Sequence, residues 1–247
     1  MTACPGVSVD RLQPTVAEGN TYVVPGNGTI TSWSHNFAAG NQTMRMEIFR
    51  QVAGLTYKVV AHDGPYPLVG GALNTFQANI PVRAGDVLGL HHSQPSMTTC
   101  PYFFAPGDQI LSKNGNLADG EEADFEVSPV DRRLNITAVF VPSNGFTLGA
   151  ITRNKKKGTA TIVVNVPNAG EVTGSGTRVE VAGGAGAVSS KTVNTPGDVQ
   201  LLIKAKGKKK RKLAKTGKVK VTPTITYVPT GGDPSSQSVT VKLKKLR

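Results

Sequence analysis

The stretch Ile80-Pro81-Val82-Arg83-Ala84-Gly85-Asp86-Val87-Leu88-Gly89-Leu90-His91-His92 predicts two β-strands joined by a tight turn. Apolar residues alternate with other residues before the turn, and Gly85 can take the left-handed backbone that a tight reversal needs. The same alternation recurs from Thr21 to Val141, between turn signals rich in Gly, Asn and Pro. Short strands at this spacing predict an all-β fold of the sandwich or jelly-roll type.

A second module follows, because strand signals stop and the charge balance changes sign near residue 145. Pro142 cannot donate to a sheet ladder and Ser143-Asn144-Gly145 is turn-forming, so one strand ends here and another starts at Phe146. Residues 1–150 carry 8 Lys+Arg and 12 Asp+Glu, whereas residues 151–247 carry 20 and 4, and the two net charges together give the +12 of the chain. We therefore predict two β-sandwich domains, residues 1–142 and residues 146–247.

The second module repeats the alternation with lysine and threonine on the polar face. Val219, Val221, Ile225 and Tyr227 fall on the apolar face, which predicts that Tyr227 points inward. The segment from Gly207 to Gly217 breaks this pattern. We predict that it crosses between sheets, with one helical turn around Leu213.

Two resemblances refine these predictions. The hairpin at residues 80–92, together with the strand Gly28-Thr29-Ile30-Thr31-Ser32-Trp33, resembles jelly-roll modules of secreted bacterial proteins, some of which bind carbohydrate. Residues 146–246 resemble immunoglobulin-like C-terminal modules of secreted actinobacterial proteins, through Arg153–Thr161, Lys204–Lys208 and Thr230–Pro234. The resemblances imply a jelly-roll-like sandwich followed by an immunoglobulin-like one, and an extracellular or cell-surface location.

Two cysteines, Cys4 and Cys100, are each followed by proline and flanked by polar residues. A lone pair without Cys-x-x-Cys spacing does not make a four-ligand zinc site, so we expect no metal at the cysteines and predict a disulfide between them. Two free, buried thiols are the alternative. No run of about 18 apolar residues occurs, so no membrane span is predicted.

Candidate ligand contacts come from aromatic side chains and histidine. Tyr66 and Tyr102 lie in the Pro-rich stretches Gly64-Pro65-Tyr66-Pro67 and Pro101-Tyr102-Phe103-Phe104, which we predict to be loops where rings can stack on sugars or anchor a protein. Trp33 is a third candidate, although its position in a strand favours a core residue.

The adjacent residues His91 and His92 must face opposite sides of one strand. His92 shares its side with Leu88 and Leu90, which leaves His91 as the candidate ligand contact. A site built from His91, His35 and Asp86 is an open alternative.

Residues 93–127 lack clear alternation and contain the acidic stretch 114–124. We predict a long loop there. The spacing of its carboxylates does not match that of an EF-hand, which favours a solvated acidic loop. A bound cation is the alternative.

Lysine dominates the second half and predicts a polyanion-binding surface. Its loop clusters are Lys155, Lys156, Lys157, Lys208, Lys209, Lys210, Arg211 and Lys212. Sequence-specific nucleic-acid binding is not expected, because 16 Lys outnumber 4 Arg and aromatic residues are scarce. An anionic cell-wall polymer needs only point charges, and a solvated surface without a partner is the remaining interpretation.

No Gly-x-Ser-x-Gly elbow, Walker loop or dinucleotide-binding glycine motif occurs, so we expect a non-enzymatic protein without a cofactor. The sequence predicts a secreted or cell-surface binding protein whose first module contacts a carbohydrate or protein ligand through loops. Two alternatives stay open: a structural subunit of an extracellular assembly, and a polysaccharide hydrolase.

Overall fold

The computed structural model describes residues 8–38, 42–92, 101–182 and 190–246, together with the backbone of residues 4–5 and 96–97. The chain forms two compact units, Met1–Val141 and Pro142–Arg247. Strands dominate both units and the described residues contain one short helix, which confirms the predicted all-β class. Cys100 and the side chain of Cys4 lie outside the described residues, so the disulfide stays a prediction.

The strands of the first unit follow one another in twelve segments. They are β1 (Cys4–Pro5), β2 (Val9–Thr15), β3 (Gly28–Phe37), β4 (Gln42–Ala53), β5 (Thr56–Leu68), β6 (Ala72–Val82), β7 (Val87–His92), β8 (Ser96–Met97), β9 (Tyr102–Asn114), β10 (Glu122–Asp124), β11 (Glu126–Leu134) and β12 (Thr137–Pro142). A seven-stranded sheet has the order β10-β5-β4-β7-β2-β9-β11, and a three-stranded sheet has the order β12-β3-β6; β1 and β8 form a separate pair.

The main core of the first unit lies between these two sheets. The predicted alternation is confirmed, because the residues that share its apolar face are buried together: Ile30, Trp33, Met44, Met46, Ile48, Ile80, Val82, Leu88 and Leu90. At the predicted hairpin, Gly85 has the expected positive φ of 88°.

The seven-stranded sheet also buries part of its outer face. A second apolar cluster forms there from Leu12, Phe49, Tyr57, Val59, Val87, Leu111 and Phe125. Gly89 is required at this place, because a Cβ on it would lie 2.2 Å from the Arg11 carbonyl oxygen and 2.6 Å from the Phe49 ring. Residues 116–117 lie over this face, where they contact Asp10 and Arg45. The chain then joins the edge of the sheet, with Gly120 N–H donating to Val59 O at 2.8 Å and Val59 N–H to Glu121 O at 3.0 Å, ahead of β10.

The prediction of one long loop over residues 93–127 is wrong, because β9, β10 and the start of β11 fall within it. The alternation is weak for physical reasons. The first half of β9 is largely exposed, Gly107 has a φ of 81° in the middle of the strand, and β10 is an edge strand of three residues.

The stretch from Gly64 to Pro67 is likewise part of β5 rather than a loop. There β5 bonds β4 through the pairs Met44↔Tyr66 and Thr43↔Pro67, whereas its other neighbour, β10, pairs only with Thr56–Lys58. Beyond Val59, no further strand pairs with this side of β5 among the described residues, and proline is tolerated in a strand at such an edge.

The second unit contains ten strands and a helix. They are β13 (Thr147–Asn154), β14 (Thr159–Val166), β15 (Gly170–Ser175), β16 (Val179–Ala182), β17 (Ser190–Val193), β18 (Gly197–Ala205), α1 (Gly207–Thr216), β19 (Lys218–Val221), β20 (Thr224–Pro229), β21 (Ser235–Ser238) and β22 (Val241–Lys244). Two four-stranded sheets have the orders β13-β14-β18-β16 and β17-β15-β20-β21, and β19 pairs with β22. Their apolar faces meet in one core.

Two predictions for this unit are confirmed. Tyr227 is fully buried, and its hydroxyl donates to the Asn168 carbonyl oxygen at 2.9 Å. The segment after β18 is helical, buries Leu213 and connects β18 to β19 in another sheet; it ends at Gly217, which has a left-handed backbone. The helix is longer than predicted, with ten residues instead of one turn.

We expect each unit to fold alone, because each has its own buried core. Residues 1–141 and residues 142–247, produced separately, should each give one cooperative calorimetric transition. A fragment that is unfolded alone, while the full chain is folded, would contradict this expectation.

Candidate functional site

The basic face of the second unit consists of the turn Lys155–Lys157, helix α1 and the strand pair β19–β22. These elements are neighbours: Leu246 N–H donates to the Lys155 carbonyl oxygen at 2.9 Å, and Lys245 N–H donates to the Gly217 carbonyl oxygen at 2.8 Å. All the predicted cluster lysines and Arg211 are exposed except Lys209, which is half-buried and donates to the Lys220 carbonyl oxygen at 2.7 Å. The structure therefore joins the two predicted clusters into one surface.

The strand pair adds lysines that stand directly opposite one another. The register of β19 and β22 pairs Lys218 with Lys244 and Lys220 with Lys242, while Val219 and Val221 point into the core. Opposed like charges destabilise a pair of strands. This arrangement therefore costs free energy in the unbound protein.

No ion pair is found for the lysines of β19 and β22 in the part of the chain that the structure describes. The carboxylate pair of this unit that is found, Lys204 with Glu180 at 3.3 Å, involves none of these lysines. The basic face also contains two shallow grooves, one of about 370 Å³ between Lys155 and Lys242 and one of about 450 Å³ between Lys157 and α1.

A second candidate is a polar cluster on the outer face of the seven-stranded sheet in the first unit. The register places Asp10 of β2 and Arg45 of β4 on either side of His91 of β7, and Glu47 follows two residues after Arg45. Asp10 and Glu47 are fully buried and His91 is 5% exposed. His91 Nδ1 lies 2.5 Å from Asp10 Oδ1.

Glu47 is only partly satisfied in this cluster. Arg45 Nε donates to Glu47 Oε1 at 3.0 Å and Arg45 Nη2 contacts the same oxygen, but Glu47 Oε2 is buried without a hydrogen-bond partner. Burial, reinforced by the nearby Asp10 carboxylate, raises the pKa of Glu47 to about 8.

The segment at residues 115–117 closes over the cluster. Leu117 N–H donates to Asp10 Oδ2 at 2.8 Å, and Arg45 Nη2 donates to Asn116 Oδ1 at 2.7 Å. The Ser8 hydroxyl donates to the Gly115 carbonyl oxygen at 3.1 Å and lies 3.4 Å from His91 Nε2. Chemically, this arrangement can hold a cation between its carboxylates and imidazole, or pass a proton along Ser8, His91 and Asp10.

The structure does not bring together His91, His35 and Asp86, which the sequence left open as one site. His91 faces the outer cluster, whereas His35 is buried on β3 and contacts the Asn135 carbonyl oxygen. Asp86 instead binds Arg50 through two hydrogen bonds of 2.7 and 2.9 Å. The structure keeps these three residues in different places.

The acidic stretch 114–124 uses its carboxylates to fix its own position. Asp119 pairs with His62 at 2.7 Å, Asp124 accepts from Thr56 at 2.5 Å, and Glu121 accepts from Ala118 N–H at 2.9 Å. Among the described residues, the only group of three potential metal ligands is Asp10, Glu47 and His91, none of which belongs to this stretch.

The three aromatic side chains that we predicted to contact a ligand, Trp33, Tyr66 and Tyr102, pack mostly against other residues of the first unit. Trp33 is a core residue, because it is 1% exposed and packs on Phe76 and Tyr66. Its Nε1–H donates to Asp63 Oδ2 at 2.6 Å. Tyr66 is half-buried and stacks on Phe76 with ring centroids 4.6 Å apart. Tyr102 is half-buried with the Arg11 guanidinium 5.6 Å from its ring centroid.

The exposed rings are the two that follow Tyr102. Phe103 is 49% exposed and Phe104 is 66% exposed, with the Arg132 guanidinium 5.2 Å from the Phe104 ring centroid. Alternation could not have identified both, because adjacent residues of a strand face opposite sides and here both are exposed. Phe103 also borders a cleft of about 500 Å³ whose lining includes Tyr22, Arg133 and Asn135.

Polar contacts hold the walls of this cleft. The Tyr22 hydroxyl donates to the Leu134 carbonyl oxygen at 2.5 Å, and burial raises the pKa of Tyr22 to about 12. Arg133 donates to Asp108 at 2.5 and 3.1 Å and to the Glu18 carbonyl oxygen at 2.6 Å. Asp108 also accepts from Ala17 N–H at 2.8 Å.

The chain matches no protein-family model and no curated protein. The jelly-roll-like and immunoglobulin-like resemblances therefore stay predictions about the finer fold. Among the described residues, no helix is long and apolar enough to cross a membrane.

The Asp108–Arg133 pair predicts a pH dependence of stability. The hydrogen bonds from Arg133 hold the pKa of Asp108 below its usual value of 3.8. A depressed carboxyl pKa stabilises the folded state above the unfolded pKa, and this contribution is lost as the pH falls through the folded pKa. Asp108→Asn should therefore cost about 1–3 kcal/mol at pH 7. It should also reduce the loss of stability below about pH 4.

Urea unfolding of the full chain from pH 7 to pH 2 measures both effects. Asp131→Asn is the matched control, because Asp131 accepts one exposed hydrogen bond from Gly107 N–H and no ion pair involving it is found in the described part of the chain. Equal acid sensitivity of wild type and Asp108→Asn would contradict the assignment.

Proposed function

We propose that this protein is a non-enzymatic, extracellular binding protein whose second unit attaches to an anionic polymer of the cell surface. One observation carries the proposal: lysines stand directly opposite one another on β19 and β22, with no carboxylate near enough to pair with them among the described residues. A polymer with closely spaced negative charges is the partner that this surface fits.

Electrostatics gives the reason. The repulsion between opposed lysines is present in the free protein and is relieved when phosphate or carboxylate groups lie between them. Binding of this kind uses point charges on a rigid face and requires no particular sequence in the polymer. The lysines of α1 and of the turn Lys155–Lys157 extend the same surface.

The aromatic residues of the second unit favour a simple polymer over sequence-specific nucleic acid. Its two aromatic side chains, Phe146 and Tyr227, are 5% and 0% exposed and pack against each other in the core. Neither is available to stack on a base, and lysine lacks the bidentate geometry with which arginine reads guanine.

The test is retention of the full chain on a teichoic-acid-like polymer, heparin and duplex DNA at rising salt. Wild type should bind all three according to their charge density. Lys218→Ser combined with Lys220→Ser removes one partner from each opposed pair. This variant should elute at clearly lower salt, and it should be no less stable than wild type because the repulsion is relieved.

A charge-matched control is Lys58→Ser combined with Lys191→Ser, which changes the net charge equally but outside the basic face. It should elute close to wild type. Equal elution of the two double variants would mean that net charge alone governs binding. Preference for one DNA sequence would contradict a sequence-independent partner.

A second candidate function belongs to the first unit, where Phe103 is exposed at the cleft and the adjacent Phe104 is exposed next to Arg132. Exposed rings next to asparagine and arginine are the residue types that stack on and hydrogen-bond to sugars. We infer that a carbohydrate ligand contacts this part of the unit, in agreement with the predicted role of the module but at different aromatic residues.

A glycan array probed with wild type, Phe103→Ala and Phe104→Ala tests this candidate. The glycans bound by wild type should lose signal with both variants, whereas Val139→Ala, an exposed apolar control, should retain it. Unchanged signal in the phenylalanine variants would exclude these rings as the contact.

A further inference from the structure

We propose that Asp10, Glu47 and His91 form a binding site for a divalent transition-metal ion on the outer face of the seven-stranded sheet. One ligand atom from each residue lies within 4.8 Å of the others, and all three residues are buried. They occur on the three adjacent strands β2, β4 and β7 in the middle of the sheet. Ligands on central strands are held more rigidly than ligands on loops.

A second observation points to a missing positive charge. Glu47 Oε2 is buried and has no hydrogen-bond partner, although its other oxygen is occupied by Arg45. Buried polar atoms in folded proteins normally have a partner, and an orphaned carboxylate oxygen lacks a donor or a cation. When ionised, Asp10 and Glu47 carry two negative charges and Arg45 compensates one of them.

The surrounding contacts fit the outer shell of a metal site. Ligating carboxylates and imidazoles are usually oriented by further hydrogen bonds. Here Arg45 orients Glu47, Leu117 N–H donates to Asp10 Oδ2, and Ser8 lies 3.4 Å from His91 Nε2. Asp10 and His91 already share a short contact of 2.5 Å, and a metal would replace the proton between them.

The donor atoms decide the class of ion. One imidazole nitrogen with two carboxylate oxygens suits Zn²⁺ and Mn²⁺, whereas Ca²⁺ and Mg²⁺ prefer oxygen ligands alone. Ligands of a tetrahedral zinc ion lie about 3.3 Å apart. Asp10 and His91, now 2.5 Å apart, must therefore separate by about 0.8 Å, and the longest separation, 4.8 Å or less, must close by at most about 1.5 Å; rotation about the side-chain χ angles allows both changes.

Titration calorimetry of the full chain with ZnCl₂ tests the proposal. Wild type should give a saturable site with one zinc per chain. Glu47→Gln keeps the side-chain shape but removes the carboxylate, and it should weaken binding by about tenfold or more. Asp10→Asn should act in the same direction, and addition of zinc should raise the thermal midpoint of wild type more than that of either variant.

Glu180→Gln provides the matched control, because it makes the same substitution at a partly exposed carboxylate of the second unit, where Glu180 pairs with Lys204 at 3.3 Å. Glu180→Gln should bind zinc as wild type does. If a variant of the cluster fails to fold, the Co²⁺ absorption spectrum of wild type still reports whether nitrogen and oxygen ligands surround the ion. Absence of saturable binding to folded wild type, or equal affinity in wild type and folded Glu47→Gln, would overturn the proposal.

Discussion

Burial of the seven-stranded sheet on both faces is the constraint on which the first unit depends. A strand that is covered on one side can place its polar residues in water, but β2, β4 and β7 have a core on one face and, on the other, a second apolar cluster and the residues Asn116 and Leu117. A polar side chain that is buried on these strands therefore loses free energy unless it finds a partner inside the protein. On the outer face Asp10, Arg45, Glu47 and His91 contact one another, which leaves Glu47 Oε2 without a hydrogen-bond partner.

The inner face of the same strands has a different solution. Arg11 is 6% exposed, and its described polar side-chain contact is with His92, whose pKa is lowered to about 3 by burial and by the Arg11 charge. His92 is therefore neutral and can accept a hydrogen bond from the guanidinium. Side chains alternate along a strand, so adjacent residues face opposite sides of the sheet. Asp10 and His91 therefore belong to the outer cluster, whereas Arg11 and His92 contact each other on the inner face.

The second unit has a continuous apolar core and carries its charged residues on the surface. Opposed lysines on that surface weaken the pair β19–β22. Val219, Val221, Val241 and Leu243 offset this repulsion because they are buried beneath the lysines on the same strands. A stable core therefore allows the surface to carry charge that no internal partner neutralises.

The sequence predicted features that depend on local periodicity and missed those that depend on register. Alternation identified the buried faces of β4, β6, β7 and β20, and turn residues identified the hairpin at Gly85, because each signal lies within a few neighbouring residues. The polar cluster joins Asp10 to residues 37 and 81 positions further along the chain, at Glu47 and His91. Their meeting is set by the strand order β4-β7-β2, which no local pattern reveals.

The acidic segment 114–124 shows what composition alone leaves undetermined. Its carboxylates are exposed, as the solvated alternative predicts, and Asp119 and Asp124 also contact His62 and Thr56 of β5. Once anchored, the segment brings Asn116 and Leu117 onto Arg45 and Asp10. The net negative charge of the first unit is therefore partly a structural device. It holds Asn116 and Leu117 in place over the polar cluster, where they contact Arg45 and Asp10.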